Sequence, residues 1–223
     1  MKVVGVDATK LGWVTVTLTD GKFAGAEVHG DFSSLYPFVR DAAAIGVDIP
    51  IGLVEQGSRD ADFEVRKLLG ARLRSSLFIT PPRAVVFTEV WSEALVLAKQ
   101  LMGTGISKQA FHLFPRIREV DTFAHDERIL EVHPEAAFAA AKGATLAFSK
   151  KTWAGAMERR QLLETQGVHL PDELGPAGRC PIDDVLDAAI AAWSAKRFAE
   201  GQALRYPTSP SQHDRGRPIA IHV

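Results

Sequence analysis

The sequence has a single cysteine, Cys180, so no internal disulfide can form. Neither a secretory leader nor a long apolar run is present, and together these absences lead us to expect a cytoplasmic protein with no membrane partner. No charge sign dominates. Twenty-six basic against 27 acidic residues leave a formal net charge of −1. No strong overall field therefore draws in nucleic acid or an anionic membrane, and any nucleic-acid contact must come from a local basic patch. A Gly-rich phosphate loop of the Walker type is missing, as are internal repeats and low-complexity segments. What remains is a chain of 223 residues, 46% of them apolar. That is enough for one large domain, or for a core with a sizeable insertion.

The opening Val3-Val4-Gly5-Val6-Asp7 is a short apolar run ending in an acid, which predicts a buried strand. Trp13 to Leu18 is β-branched and alternating, and predicts a second strand. Asp20-Gly21 is a hairpin signal, and Lys22 to Val28 follows as a third strand. Asp31-Phe32-Ser33-Ser34 starts a helix whose apolar spacing continues through Leu35, Phe38, Val39 and Ala42. Ile45 to Ile49, closed by Pro50, is a fourth strand, and the intervening helix lets it lie parallel to an earlier one. Residues 51–128 are mostly helical in pattern, with helices expected at 59–69, 89–101 and 107–120. Ile129 to His133 reads as a fifth strand, followed by a short alanine-rich helix and a longer one over 150–166. The last helix runs from Pro181 to about Glu200. Residues 206–218 are polar, turn-rich and expected to be mobile, and 219–223 form a final edge strand.

Acidic residues stand at informative places. Asp7 and Asp48 each end an apolar strand. If those strands are neighbours, the two carboxylates lie roughly 5 Å apart. Their repulsion would be relieved by a cation such as Mg²⁺, which prefers oxygen ligands. In Pro181-Ile182-Asp183-Asp184 the proline and the acids also suit a helix start. Asp187 lies further in, and that explanation covers it poorly. Both Asp184 with Asp187 and Asp183 with Asp187 can share a helix face. Glu131 and His133 point to one face of the fifth strand, either towards solvent or towards a site, and His133 could shuttle protons. Glu135, after Pro134, is expected as a first-turn acid.

The candidate substrate contacts are basic. Lys151 and Arg159 are eight apart on one expected helix, flanked by Lys150 and Arg160, while Arg59, Arg66, Arg72, Arg74 and Arg83 follow the fourth strand. As a group they suit phosphate contacts. Singly they also suit solvated surface, with Asp62–Arg66 as an intrahelical pair. Trp91 and Trp153 could stack on bases but fit core or half-core packing better. Cys180, just before Pro181, fits a small structural residue better than a catalytic thiol.

Several motifs occur together and in order: Val4-Gly5-Val6-Asp7 with Gly12-Trp13, Val47-Asp48-Ile49-Pro50-Ile51-Gly52, Glu131-Val132-His133-Pro134-Glu135, and Asp183-Asp184-Val185-Leu186-Asp187-Ala188. With Arg66, Leu69-Gly70, Ser75-Ser76, Pro81, Arg83 and Lys150-Lys151, they cover nearly the whole chain and resemble the DUF429 family, described as predicted ribonuclease-H-like nucleases. The resemblance implies an α/β ribonuclease-H-like fold. Such a fold has a five-stranded mixed sheet flanked by helices, here with a helical insertion at about 51–128 in one domain spanning 1–223. It also implies catalytic and metal-binding acids at Asp7, Asp48, Asp184 and Asp187, with Glu131 as a further member. Mg²⁺ or Mn²⁺ would be the cofactor, and nucleic acid or a nucleotide the substrate, contacted by Lys151, Arg159, Arg66 and Arg83. An actin-like ATPase and a non-catalytic binding module are the competing classes. The former usually needs two such domains.

Overall fold

The computed structural model describes residues 1–223. In chain order the principal elements are β1 (Lys2–Thr9), β2 (Gly12–Thr19), β3 (Lys22–His29), α1 (Phe32–Phe38) and β4 (Ala44–Val47). Then come α2 (Asp60–Leu73), α3 (Arg83–Val86), α4 (Trp91–Met102) and α5 (Lys108–Asp121). The rest are β5 (Ile129–Glu131), α6 (Pro134–Lys142), α7 (Trp153–Thr165) and α8 (Ile182–Ala199). Two compact units result: residues 1–49, 127–204 and 222–223 form the first, and residues 50–126 and 205–221 the second.

The first unit is built on a five-stranded mixed sheet of order β3-β2-β1-β4-β5. β1 to β3 form the expected antiparallel meander. The turn signal between β2 and β3 works as predicted: Asp20 and Gly21 both have positive φ, 51° and 78°, the geometry whose twist matches a two-residue hairpin. β4 pairs parallel with β1, and β5 parallel with β4. The C-terminal ends of β1, β4 and β5 therefore share one edge of the sheet. α1 starts where expected, with Asp31 accepting from the Ser34 N–H at 2.7 Å in a capping box. It ends early, at Phe38, with Pro37 in its last turn, and Val39 and Ala42 are buried from a turn instead. β5 is shorter than expected because Pro134 already opens α6, but His222 adds a parallel bridge to Val132. α7 begins at Trp153 rather than at Lys150, because Thr152 is its N-cap and accepts from the Gly155 N–H at 3.1 Å.

α8 closes the sheet. Gly5 and Gly46 are direct partners in the β1–β4 register. A Cβ at Gly5 would lie 1.9 Å from the Ala188 carbonyl oxygen and 2.2 Å from the Ala192 nitrogen. One at Gly46 would lie 2.4 Å from the Ala191 carbonyl oxygen. Ala188, Ala191 and Ala192 are fully buried, so helix and sheet backbones meet through side chains no larger than a methyl group. Around this seam Val4, Val6, Ile45, Val47 and Ile190 are enclosed, as expected for parallel strands covered on both faces. Trp13 is wholly buried and meets Phe32 edge to face at 5.3 Å.

The second unit is mainly helical. The pairing expected between Asp62 and Arg66 is absent. Asp62 is fully buried and bonds Arg59, itself fully buried, together with the Thr80 N–H. Arg66 donates to the Arg74 carbonyl instead. Burial decides this, since an enclosed carboxylate gains more from an enclosed guanidinium than from an exposed one. Arg83 binds Asp121 at 2.8 Å and Asp214 at 2.5 Å, and Arg215 joins Asp121 at 2.9 Å. Gln212 donates to the Ser58 carbonyl and accepts from the Asp60 N–H, so much of the polar segment 206–218 is tied down within this unit. No helix of the chain is long and apolar enough to cross a membrane.

The helix–sheet seam predicts a specific sensitivity. Gly5→Val should cost about 2 kcal/mol or more, because the added atoms meet backbone rather than a yielding side chain. Urea unfolding checks this. A stability equal to that of the unsubstituted protein would contradict the close approach.

Candidate metal centre

Three carboxylates converge at the shared sheet edge. Asp7 stands near the end of β1 and Asp48 directly after β4, and the Asp48 N–H continues the parallel ladder by donating to the Val6 carbonyl at 3.0 Å. Asp187 reaches them from α8, one residue before the seam alanine Ala188. One ligand oxygen from each of Asp7, Asp48 and Asp187 lies within 4.8 Å of the others. That is on the scale of two metal–oxygen bonds of about 2.1 Å meeting at one ion.

The electrostatics are unfavourable without a cation. Asp187 is fully buried, Asp7 nearly so, and Asp48 keeps a partial opening to solvent while dense protein surrounds it. Burial is the largest cause of the raised pKa at each. Asp48 is pushed up to about 8, with Asp187, Glu131 and Glu135 adding repulsion and Lys150 opposing. Asp187 is pushed up to about 6, restrained by Lys150. Asp7 rises well above the usual carboxylate range, with Asp48 and Asp187 adding to burial. Lys150 is the one ammonium bonded into the group, through Asp187 Oδ2. Burial works against its charge, but Asp187, Asp48 and Asp7 outweigh that and hold it protonated. The other Asp187 oxygen, Oδ1, is buried with no hydrogen-bond partner. An unpartnered buried carboxylate oxygen is costly, and a hard cation would satisfy it. The residues present therefore fit a divalent ion.

The surrounding residues sort themselves clearly. Asp184, half-buried and raised chiefly by burial, is not one of the three convergent acids, although its charge acts on Asp7. Asp183 is buried and bonded to Lys151. Glu131 is buried rather than solvated, in register with Val47 on β4, and its charge acts on Asp48. His133 caps α6, its Nδ1 accepting from the Ala136 N–H at 3.3 Å, which is a structural task. Cys180 is a buried free thiol.

Of the four basic candidates, Lys151 is open, its side chain 69% exposed. Arg159 is wholly enclosed: it bonds Glu135 and donates to the Phe148 and Gly155 carbonyls, leaving no face for a phosphate. Arg66 and Arg83 belong to the second unit, where Arg83 is engaged by Asp121 and Asp214.

Two residues gain importance from the structure. Lys150 had only a sequence pattern to recommend it. Glu135 looked like an ordinary first-turn acid, yet it is buried and anchors Arg159. Arg159 in turn fixes the segment that carries Lys150 by holding the Phe148 carbonyl. Thr152 Oγ1 helps by donating to the Ser149 carbonyl at 2.8 Å.

The raised carboxylates imply a pH dependence. Asp48 titrates near 3.8 when unfolded and near 8 when folded, so between these values the native state binds the extra proton. Stability contributed by protonated Asp48 is therefore full below about pH 4 and is lost as the pH rises through about 8. In EDTA, the unsubstituted protein should lose stability relative to Asp48→Asn over that interval. A pH-independent difference in urea unfolding between the two would contradict the repulsive cluster.

No curated protein and no solved structure matches the chain. One family profile does, described as "Protein of unknown function (DUF429)", over residues 5–212 of the 223. That span contains Asp7, Asp48, Lys150 and Asp187, and the chain belongs to the DUF429 family.

Proposed function

We propose that this protein is a divalent-metal-dependent nuclease with a ribonuclease-H-like core, and that the mostly helical stretch after β4 is an insertion into that core. The observation that carries the reading is the convergence of Asp7, Asp48 and Asp187 within 4.8 Å, with a buried Asp187 oxygen lacking any partner. The mixed sheet of order β3-β2-β1-β4-β5, with an acid at the end of its central strand, is the arrangement such a core needs.

In this reading Asp7, Asp48 and Asp187 hold Mg²⁺ or Mn²⁺, and Asp184, three residues earlier on α8, adds negative charge that acts on Asp7. Bound there, such ions supply Lewis acidity for activating water and stabilising the leaving oxygen of a phosphodiester. Glu131 and Glu135 deepen the negative potential that favours divalent over monovalent ions. Lys150 balances the acids when no ion is bound, and it stands beside them to receive a phosphate oxygen. Lys151, open to solvent, supplies the next phosphate contact. The net charge of −1 gives no general attraction to a polyanion, so binding depends on these local cations and the metal.

Asp7→Asn should abolish Mn²⁺-dependent cleavage of nucleic acid while preserving the cooperative unfolding of the protein. Cleavage at the unsubstituted rate in that variant would sink the assignment.

A further inference from the structure

Trp153 is 77% exposed, more than any other large apolar side chain of the chain. Scattered apolar residues on a surface are ordinary, but the position of this one is not. It is the first residue of α7, three residues from Lys150, whose ammonium is bonded to Asp187. Three residues of chain reach at most about 11 Å, so the Trp153 backbone stays within that distance of the backbone of Lys150, whose side chain reaches the cluster. Two more exposed apolar side chains lie near it in the chain or across an ion pair. Phe148, 52% exposed, stands two residues before Lys150, and Ile182, 50% exposed, directly precedes Asp183. Between them Lys151 bonds Asp183 with its side chain mostly in solvent. Asp183 itself is buried, so Lys151 stays bonded to it, and the open side of the ammonium, which carries three N–H donors, is left to meet a phosphate oxygen.

The segment is also held in place. Thr152 caps α7, Arg159 grips the Phe148 carbonyl, and Glu158 accepts the Ala147 and Phe148 N–H groups at 3.1 and 3.2 Å. A Cβ at Gly155 would lie 1.9 Å from the Ser149 carbonyl oxygen, so the backbone ahead of the helix is seated directly on its first turn. The indole therefore projects from a fixed base rather than a loose loop.

An exposed aromatic side chain two residues from an exposed ammonium, on a segment bonded through Lys150 to the carboxylate cluster, is complementary to a strand whose bases are unpaired. Each such base offers a π-face for stacking and each linkage a phosphate for the cation. Bases inside a duplex are already stacked on their neighbours and present only their edges. We propose that Trp153 is a stacking platform for an unpaired base of the substrate, adjacent to the phosphate held by Lys151, and that the protein acts on single-stranded nucleic acid. This rests on the nuclease reading and names its substrate class.

The test compares the unsubstituted protein with Trp153→Ala and Trp153→Phe, whose side chains at an exposed position leave the core packing untouched. Binding of labelled oligothymidine and oligouridine in EDTA is followed by fluorescence anisotropy, and cleavage of the same strands in Mn²⁺ by gel. Loss of the indole should weaken single-strand binding about tenfold, Phe should restore most of it, and a duplex ligand should be indifferent to either change. Indole emission should be quenched by the oligonucleotide but not by a backbone lacking bases. If Trp153→Ala binds and cuts single strands like the unsubstituted protein, the platform is overturned while the nuclease reading stands. If the unsubstituted protein cuts no nucleic acid, both fall. If Trp153 is already shielded from acrylamide in a concentration-dependent dimer, it is a subunit contact and the proposal is overturned.

Discussion

The backbone of α8 lies against the paired glycines Gly5 and Gly46 so closely that neither could carry a side chain without displacing it. Everything at the carboxylate cluster depends on that contact. Asp187 immediately precedes Ala188, whose carbonyl sits over Gly5, while Asp7 is two residues beyond Gly5 and Asp48 two beyond Gly46. A helix held off by ordinary side chains would stand farther from the sheet and carry Asp187 away from the other two acids. The small residues at the seam are thus a positioning device, with the interior between helix and sheet reduced to backbone and methyl groups.

The same closeness creates an electrostatic cost. Three carboxylates share a buried edge, and desolvation pushes each towards the neutral form; repulsion from the neighbouring acids adds to this at Asp7 and Asp48, and Glu135 adds to it at Asp187. Lys150 offsets part of this from outside the sheet, on a segment fixed by the Glu135–Arg159 pair. The fold stores an unfavourable arrangement at one point and stabilises it by burial elsewhere, as expected where a ligand completes the charge balance.

Much of this was legible in the sequence. The three antiparallel strands followed from β-branched alternation and the Asp-Gly turn, and the parallel fourth strand from the helix before it. Asp7 and Asp48 stood out because each terminates an apolar run, and Asp187 because no helix-start argument explained it. Other features were hidden for physical reasons. Gly5 and Gly46 are informative only as a pair across a register, which linear spacing does not reveal. The pairing of Asp62 with Arg59 rather than Arg66 was set by which arginine is buried, a tertiary property. Arg159 looked like a surface cation because its partner, Glu135, lies 24 residues away. Lys150 and Trp153 were assigned to one helix with Arg159, yet the Thr152 cap separates Lys150 from it and turns Trp153 out into solvent.

On the proposed function, Asp7, Asp48 and Asp187 together hold one divalent cation. Diffraction from crystals soaked in Mn²⁺, recorded at a wavelength where manganese scatters anomalously, tests it most directly. An anomalous peak is expected within bonding distance of one oxygen from each of the three, with Lys150 withdrawn from Asp187. A cluster still bridged by Lys150 and showing no peak at saturating Mn²⁺ would contradict it.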